Sequence, residues 1–517
     1  MSSDPNTQPE QNKVSASQAE HLRTDHLLHN IGRRAVSGGF ATVAAQVAKF
    51  VLNFAAAAIL ARLLSPKEFG LVGMVLGVIG LAGIFNELGL STATVQRQYI
   101  TQQQVSNLFW INVAVSGIVS LGSCGLAPLL ARFYHDPRVT WIMLSLSLMF
   151  LLTGSTVQHR ALLVRQMRFP VVAVIEVTSM FVGFTTACLL AWMGFAYWAL
   201  VAQQLSNALA SLVLTWSISK WRPSWPRRSS GVRPLLSFGA HLTVADFLGR
   251  LSVNSDTILI GKFFGAVPLG LYTRASVLLA RPLEQVFTPI NAVMDPVLAR
   301  LQSEPERYRR TFLRTFDALA MIVFPFAAIC LALSKPLVLV ILGPKWTGVV
   351  PLFSAFALVA ISSPLSSVAS WLYQSQGRGQ DQLRSHAAAG FVTVVAYVVG
   401  LMIWGPLGLI LSLAVASAAI RLPIVYYIAG RSGPVSTGDL WLGFFSQLPA
   451  WGTVYLATLL ARMAFTNSSP ILQLLVCAPI GLIFGGALLL PFRRSRESAF
   501  YAFNIIKGAL MQQWSKA

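Results

Sequence analysis

Long apolar stretches recur along nearly the whole chain and restrict its fold more than any other feature. Runs of about 20 mostly apolar residues, the length that an α-helix needs to cross the hydrocarbon core of a bilayer, follow one another from Arg34 onward. Only 11% of the 517 residues are charged, whereas soluble domains carry about 25%. A water-soluble core cannot accommodate this composition, so the sequence predicts an all-α integral membrane protein.

The apolar runs predict about fourteen transmembrane helices in two groups. The first six are predicted at residues 37–62, 70–90, 108–131, 139–159, 171–192 and 196–218. The second six are predicted at 236–262, 269–291, 314–342, 349–373, 386–403 and 407–429, with two more near 440–461 and 470–491. The predicted organisation is a polar leader (1–35), an N-lobe (36–219), a basic linker (220–234), a C-lobe (235–430) and a C-terminal region with two helices and a basic tail (431–517).

Basic residues account for the net charge of +21 and predict the topology. Nucleic-acid-binding proteins concentrate Lys and Arg on soluble patches, but here they fall in short loops between apolar runs, so nucleic-acid binding is excluded. With the N-terminus in the cytoplasm, the more basic loops face the cytoplasm, which predicts that both termini are cytoplasmic. No predicted external loop is long enough for a catalytic domain, and the sequence therefore predicts no enzyme.

The four cysteines are predicted to be buried apolar residues. They lie inside apolar runs, without a CxxC pair or a histidine at metal-ligand spacing. Neither a metal nor another cofactor is expected. The four cysteines are Cys124, Cys188, Cys330 and Cys477.

An internal repeat indicates two related halves. Residues 59–71 align without gaps on 259–271, so that a basic residue ends one span and Gly-Leu opens the next in both copies. Each half has an even number of predicted spans, so both enter the membrane from the same side. Parallel halves around a central cavity are a transporter design.

Several stretches resemble a known transporter family: ILARLLSPKEFGLVGM (59–74), ELGLSTATVQRQYITQQQVSNLFWIN (87–112), DTILIGKFFGAVPLGLYTRA (256–275), PVLARLQSEPERYRR (296–310) and LGPKWTGVVPLF (342–353). Through them the chain resembles the polysaccharide exporters of the multidrug/oligosaccharidyl-lipid/polysaccharide (MOP) superfamily, close to Wzx flippases of the colanic-acid and xanthan type. The resemblance implies two pseudo-symmetric six-helix lobes, as in MATE transporters, plus two C-terminal helices.

The same resemblance implies a substrate and a location. The expected activity is transfer of a polyprenyl-diphosphate-linked oligosaccharide across the bacterial inner membrane, for exopolysaccharide or lipopolysaccharide assembly. Membrane lipids would surround the carrier, and other polysaccharide assembly proteins are candidate partners. A proton or sodium gradient is a candidate energy source.

Charged residues inside the predicted spans are candidate site residues, because a charge at bilayer depth costs about 2.5 to 3.5 kcal/mol. Lys49 and Asn53 lie four apart on one helical face, and Arg250 and Asn254 repeat this spacing in the second half. We predict a cationic cavity that holds a diphosphate or an acidic sugar. The alternative for Arg250 is an ion pair with Asp246, which is also a candidate coupling carboxylate.

The eighth predicted span carries two more candidates, Arg274 and Arg281. Arg281 is spaced to pair with Glu284 and precedes Pro282, where local unwinding would aim it at the cavity; an interhelical salt bridge is the alternative. Arg274 is near the predicted external surface, where its side chain can extend to the interface. Three other acids are weaker candidates for proton coupling: Glu87, Glu176 and Asp256.

Other functions in the same superfamily stay open from the sequence. A drug or cation antiporter would need a compact acidic and aromatic pocket, whereas the charges predicted inside the membrane are mostly cationic. A lipid II flippase would share a cationic cavity. A membrane glycan polymerase or ligase usually has a large external loop, which this sequence lacks.

Overall fold

The computed structural model describes residues 31–87, 89–97, 100–226 and 254–489, and within these ranges it contains helices and no strand. The prediction of an all-α protein is confirmed. Nine helical segments among the described residues are long and apolar enough to cross a membrane. The chain divides into two compact units after Gly270, here called unit 1 and unit 2. The predicted total of about fourteen spans and the predicted lobe boundaries stay predictions.

The described residues of unit 1 form nine numbered helices, one further helical stretch and the first part of a helix that continues into unit 2. They are α1 (Ile31–Leu63), α2 (Pro66–Ala82), α3 (Ile84–Glu87), α4 (Leu90–Gln96), α5 (Gln102–Tyr134), α6 (Arg138–Gly154), α7 (Val157–Arg165), α8 (Phe169–Trp192) and α9 (Trp198–Ser219), with a further helical stretch at 254–264 and the start of α10 (Ala266–Arg300).

Helix ends in unit 1 follow local start and stop signals. Ser65 and Thr101 are N-caps whose capping boxes are completed by Glu68 and Gln104, and they satisfy amides that the first helical turn leaves unpaired. His135 ends α5 in the left-handed conformation, with φ of 57°. These short-range bonds explain why several helix bounds lie within a few residues of the predicted spans.

Small residues let the helices of unit 1 approach closely. A buried stripe on α8 repeats every four residues and consists of Ser179, Gly183, Ala187 and Ala191. A Cβ on Gly183 would lie 2.8 Å from the Gln203 carbonyl oxygen of α9. Between membrane helices, such stripes replace the hydrophobic driving force by close backbone packing.

The two copies of the internal repeat contact each other inside unit 1. A Cβ on Gly70 would collide with the carbonyl oxygen of Ala266, and a Cβ on Gly270 would collide with that of Pro66. Pro66 and Ala266 are themselves equivalent in the repeat, so each copy makes the same contact with the other. Two copies related by a two-fold axis make reciprocal contacts of this kind. Only glycine fits at the two positions where the backbones approach so closely.

The first part of the predicted basic linker is fixed to unit 1. Residues 220–226, here called the strap, lie across the start of α5, where Trp221 donates to Gln102 (2.7 Å) and Trp110 donates to the Ser224 carbonyl (2.9 Å). Trp221 is 0% exposed. The strap is therefore part of the packed unit.

The described residues of unit 2 form the remainder of α10 and seven more α-helices. They are α11 (Pro305–Ala332), α12 (Ser334–Ile341), α13 (Val349–Ser375), α14 (Gly379–Ala416), α15 (Leu422–Gly430), α16 (Thr437–Ala464) and α17 (Pro470–Leu489). Its core contains buried aromatic side chains from α11, α15 and α16, among them Phe316, Tyr426 and Phe444.

The helical segment α14 contains a sharp reversal where the sequence predicts the end of one span and the start of the next. Trp404 and Gly405 are non-helical, and Gly405 has φ of 62°, a conformation that glycine adopts at no steric cost. Ser412 donates back to the Ala396 carbonyl (2.6 Å), so the segments before and after the break form a tight hairpin.

Candidate functional site

One carboxylate in unit 1 pairs with two cations, one on an apolar helix and one on a short polar helix. Lys49 Nζ of α1 lies 2.8 Å from Glu176 Oε2 of α8, and the Arg160 guanidinium of α7 pairs with the other oxygen, Oε1. All three side chains are partly buried. We call these three residues the charge cluster. It carries two positive charges and one negative charge.

The contact between α1 and α8 places the charge cluster inside the apolar part of both helices. Lys49 is fourteen residues before Leu63, about 21 Å along the helix axis, and Glu176 is seven residues after Phe169, about 10 Å along it. One turn beyond Lys49, the Asn53 amide lies 3.9 Å from the Met180 sulfur, one turn beyond Glu176. Lys49 and Asn53 therefore share a face that runs along α8.

The charge cluster brings together residues that are far apart in the sequence. The sequence offers no acid within a turn of Lys49, and Glu176 is 127 residues away. Arg160, which directly follows the predicted span 139–159, completes the cluster. The sequence does carry one signal for this pair. Arg160 and Glu176 are sixteen residues apart and lie near the facing ends of consecutive predicted spans.

The matching candidates of the second half are only partly described. Arg250 and Asp246 lie outside the described residues. Asn254 is the first described residue of the helical stretch 254–264, and its Oδ1 lies 4.0 Å from the Cβ position of Gly80. The predicted equivalence of the two cation–amide pairs stays a prediction.

The candidates of α10 lie in unit 2. Arg281 Nη1 is 3.0 Å from Glu284 Oε2, the i, i+3 pair that the spacing suggests, and both side chains are more than half exposed. The helix is continuous through Pro282, so the unwinding suggested for Arg281 is not present. Arg274, two turns earlier on the same helix, is partly buried.

Of the other suggested carboxylates, Asp256 accepts a bond from the Thr257 hydroxyl (3.1 Å). Among the suggested carboxylates, Glu176 is the one that pairs with two cations, Lys49 and Arg160, within the described residues. Each of its two carboxylate oxygens pairs with a different cation.

Several other arginines have structural partners. Arg165 is buried and donates to the carbonyls of Thr94 (3.0 Å) and Arg97 at the end of α4. Arg378 donates to Asp381 (2.8 Å) and to the Ile428 carbonyl (2.8 Å), which ties α14 to the end of α15. These bonds satisfy helix ends and explain the arginines without a ligand.

An acid between α5 and α6 has a shifted pKa. Arg138 donates from Nε to Asp136 Oδ1 (3.0 Å) and from Nη2 to Oδ2 (2.7 Å). These bonds to Arg138 lower the pKa of Asp136, although burial opposes the shift. The pair stabilises the turn between the two helices.

Arg421 is an intramembrane cation that the sequence reasoning did not select. It lies on a π-helical turn, Ser417–Arg421, between α14 and α15 in unit 2. Its signal in the sequence is that it is the one charged residue of the predicted span 407–429. No group of three His, Cys, Asp or Glu side chains within the described ranges is placed to hold a metal ion.

Two solved structures share this architecture. The lipid II flippase MurJ, in an inward closed conformation, superposes with a TM-score of 0.66 at 12% identity over 88% of this chain and 99% of that one. An inward-facing multidrug-resistance MATE transporter of the MOP superfamily superposes with a TM-score of 0.53 at 14% identity, over 78% of this chain and 94% of that one. The fold is therefore of the kind shared by MurJ and MATE transporters.

Curated relatives are proteins of polysaccharide biosynthesis. The lipopolysaccharide biosynthesis protein WzxC of Escherichia coli K12 is 24% identical, over 81% of this chain and 87% of its own length. The succinoglycan biosynthesis transport protein ExoT of Rhizobium meliloti is 28% identical, over 70% of this chain and 75% of its own. The amylovoran biosynthesis protein AmsL of Erwinia amylovora is 28% identical, over 61% of this chain and 82% of its own.

A family model described as "Polysaccharide biosynthesis protein" matches residues 59–351, more than half of the 517-residue chain. The match spans the internal repeat, the strap and most of the helices of unit 1. The multi-pass helical fold, the curated relatives and this match agree, and the chain belongs to the polysaccharide biosynthesis protein family.

Proposed function

We propose that this protein is a flippase that transfers a polyprenyl-diphosphate-linked oligosaccharide across the inner membrane for exopolysaccharide or lipopolysaccharide assembly. Family membership and the relatives named for lipopolysaccharide biosynthesis and succinoglycan transport support this function. The fold shared with a lipid II flippase agrees with it, since lipid II is also a lipid-linked sugar. The proposed orientation has both termini in the cytoplasm, as the basic loops predict.

The observation that carries the proposal to particular residues is the surplus positive charge of the charge cluster. Two cations share one carboxylate, and Lys49 and Glu176 lie on apolar helices, where an extra charge is costly unless it has a use. A diphosphate group carries more negative charge than a carboxylate and accepts bonds from both Lys49 and Arg160. We infer that the diphosphate binds these two cations while the polyprenyl tail stays in lipid.

Glu176 gives this site an exchange mechanism. With no substrate bound, its carboxylate neutralises one of the two cations and contacts both. An arriving diphosphate displaces the carboxylate, and the carboxylate returns when the substrate leaves. The cations thus always have an anionic partner, which keeps the energy difference between the loaded and empty states small.

The depth of the charge cluster agrees with loading from the cytoplasmic side. In the proposed orientation Leu63 is at the external end of α1, so Lys49, about 21 Å before it, lies in the cytoplasmic half of a bilayer core about 30 Å thick. Lipid-linked repeat units are expected on this leaflet. Arg250, Asn254, Arg274 and Arg281 remain candidate contacts for the rest of the substrate, and Asp246 remains a candidate coupling carboxylate for a proton or sodium gradient.

The test measures glycan export and the substrate that accumulates. In a deletion strain we expect a lipid-linked repeat unit to accumulate on the cytoplasmic leaflet. Lys49→Ala, Arg160→Ala and Arg250→Ala should each reduce export at an unchanged protein level. The matched control is Arg384→Ala, because the Arg384 side chain is 63% exposed and its nearest acid is 4.0 Å away. Normal export by all three cluster and cavity variants at equal abundance would contradict the cationic site.

A further inference from the structure

Arg421 lies deep in an apolar segment and on an unusual backbone. It precedes Gly430 by nine residues, about 13 Å along a helix axis, and the segment Gly379–Gly430 is among those apolar enough to span a membrane. The turn that carries it, Ser417–Arg421, has π-helical hydrogen bonding. Such turns are rare and frequently occur at functional sites, because the wider turn changes the direction of a side chain.

Two donors of this turn are buried without a partner in the described part of the chain. They are Arg421 Nε and the hydroxyl of Ser417, which lies one turn earlier and is 2% exposed. Buried donors in native proteins nearly always have an acceptor. Two donors one turn apart that lack an acceptor in the described part of the chain are available to an acceptor on a ligand.

The neighbours of Arg421 supply no opposite charge. His386 and Tyr397 of α14 are close enough to interact with it electrostatically, and no salt bridge to Arg421 forms among the described residues. Other arginines of unit 2 do have acids: Arg309 pairs with Asp439, and Arg378 and Arg431 pair with Asp381. Arg421 thus differs from them in both depth and pairing.

We propose that Arg421 and Ser417 form an anion-binding site in unit 2 that takes a phosphate or carboxylate group. The guanidinium fork matches the two oxygens of such a group, and the Ser417 hydroxyl supplies a further donor. This inference rests on the proposed function, in which the substrate carries a diphosphate and an acidic glycan adds carboxylates. An anionic lipid headgroup offers the same chemistry, and the experiment separates these sources.

The experiment measures anion binding by the full-length protein in phosphatidylcholine nanodiscs. Pyrophosphate and glucuronate are titrated separately, and binding is followed by calorimetry and by the shift in Tm. The Lys49→Ala protein is titrated in parallel, so that binding at the charge cluster is separated from binding at Arg421. When the two changes are combined, we expect Arg421→Gln to weaken binding of at least one anion to the Lys49→Ala protein by roughly tenfold or more.

Stability of the ligand-free protein provides the second measurement. Arg421→Gln should leave its Tm unchanged or higher, because the change removes a buried charge that lacks a partner. Arg421→Lys keeps the charge without the fork and should bind with intermediate affinity, and Ser417→Ala should weaken binding by a smaller factor. The control, Arg384→Gln, alters an exposed arginine at the start of α14 and should bind both anions normally.

Each outcome decides between an anion site and a structural arginine. If Arg421→Gln lowers the ligand-free Tm and binds both anions with unchanged affinity, the proposal is wrong. If only nanodiscs containing phosphatidylglycerol raise the Tm, and Arg421→Gln removes that effect, the site is an anion site occupied by lipid headgroups. Because binding is read without transport, loss of the proposed flippase activity would leave this result intact.

Discussion

At the scale of single residues, Lys49 and Arg165 have partners that are distant in sequence. Lys49 has no acid near it in the chain, but Glu176 lies 2.8 Å away in the fold and also contacts Arg160. Arg165 likewise depends on distant carbonyls at the end of α4. The energetic role of a membrane charge is therefore set by the helix that faces it.

The exchange role of Glu176 predicts tighter anion binding when its charge is removed. In Glu176→Gln the amide no longer competes for Lys49 and Arg160, so pyrophosphate should bind to the purified protein roughly tenfold more tightly, while glycan export falls because release is slower. Calorimetric titration and export assays measure the two effects. Glu304→Gln, which removes an exposed acid paired with Arg307 (3.2 Å) in unit 2, should change neither. Weaker pyrophosphate binding by Glu176→Gln would mean that Glu176 positions the cations instead of competing for them.

The Asp136–Arg138 pair predicts a pH dependence of stability. The bonds from Arg138 hold the pKa of Asp136 below its ordinary value of about 3.9, so the stabilisation is complete above that pH and is lost as the pH falls below it. Between pH 6 and pH 3 the Tm of the wild type should fall more than that of Asp136→Asn. Equal losses in the two proteins would show that the pair does not contribute.

At the scale of helices, the close approach of two helix backbones depends on small residues. The buried stripe of α8 and the reciprocal contact of the repeat copies both bring backbones together. Polar side chains add interhelical bonds, as where Ser120 of α5 donates to the Ser147 carbonyl of α6 (3.0 Å). Both devices are typical of helices packed in lipid, where apolar surface alone gives no preference for a partner helix.

The reciprocal glycine contact predicts strong effects of a single methyl group. Gly70→Ala and Gly270→Ala should each destabilise the protein by about 1 to 3 kcal/mol or more, because the added Cβ meets a carbonyl oxygen that belongs to a rigid helix start. Thermal unfolding of the purified protein measures the loss. Gly122→Ala is the control, since nothing lies within 4 Å of its Cβ position. A Tm for Gly70→Ala equal to that of this control would rule out the tight contact.

The strap predicts that part of the linker is needed for the stability of unit 1. Trp221 is fully buried beside His159 (4.9 Å between ring centroids) and Phe109 (6.1 Å). Trp221→Ala should cost about 3 to 5 kcal/mol, the usual loss for a buried aromatic residue. Trp225, in the same strap, is 81% exposed and stacks only on Trp110, so Trp225→Ala should cost far less. Similar losses of Tm in both variants would mean that burial of Trp221 is not the cause.

At the scale of the whole molecule, composition and fold together indicate what is transported. The chain carries a net charge of +21, and the charge cluster in unit 1 is net positive. MATE transporters and MurJ share the fold, so the fold alone does not distinguish a drug from a lipid-linked sugar. The sign of the intramembrane charge favours an anionic substrate.

This sign predicts that the protein does not export cationic drugs. Overexpression should leave the resistance of cells to cationic dyes unchanged, because a cationic site repels them. The test is the minimum inhibitory concentration of cationic dyes for cells with and without the protein. The control is the Lys49→Ala variant, expressed at the same level as the wild type. Clear dye efflux would favour the antiporter, and lysis on depletion would favour a lipid II flippase.

The amino-acid sequence by itself determined the apolar helices, many of their ends and the family. Hydrophobic length, capping residues such as Ser65 and the break at Gly405 act over a few residues, so they can be read without a fold. The internal repeat also predicted equivalent positions, although not that Gly70 and Gly270 would lie in reciprocal contacts.

Only the tertiary structure decided which charges meet. Glu176 is 127 residues from Lys49, and its selection depends on the packing of α1 against α8, which no local pattern encodes. The same holds for the donors of Arg421 and Ser417, which have no acceptor among the described residues, because the lack of an acceptor depends on the side chains packed around them. Helix formation in a membrane is a local consequence of apolar length, whereas pairing of charges is a consequence of which helices become neighbours.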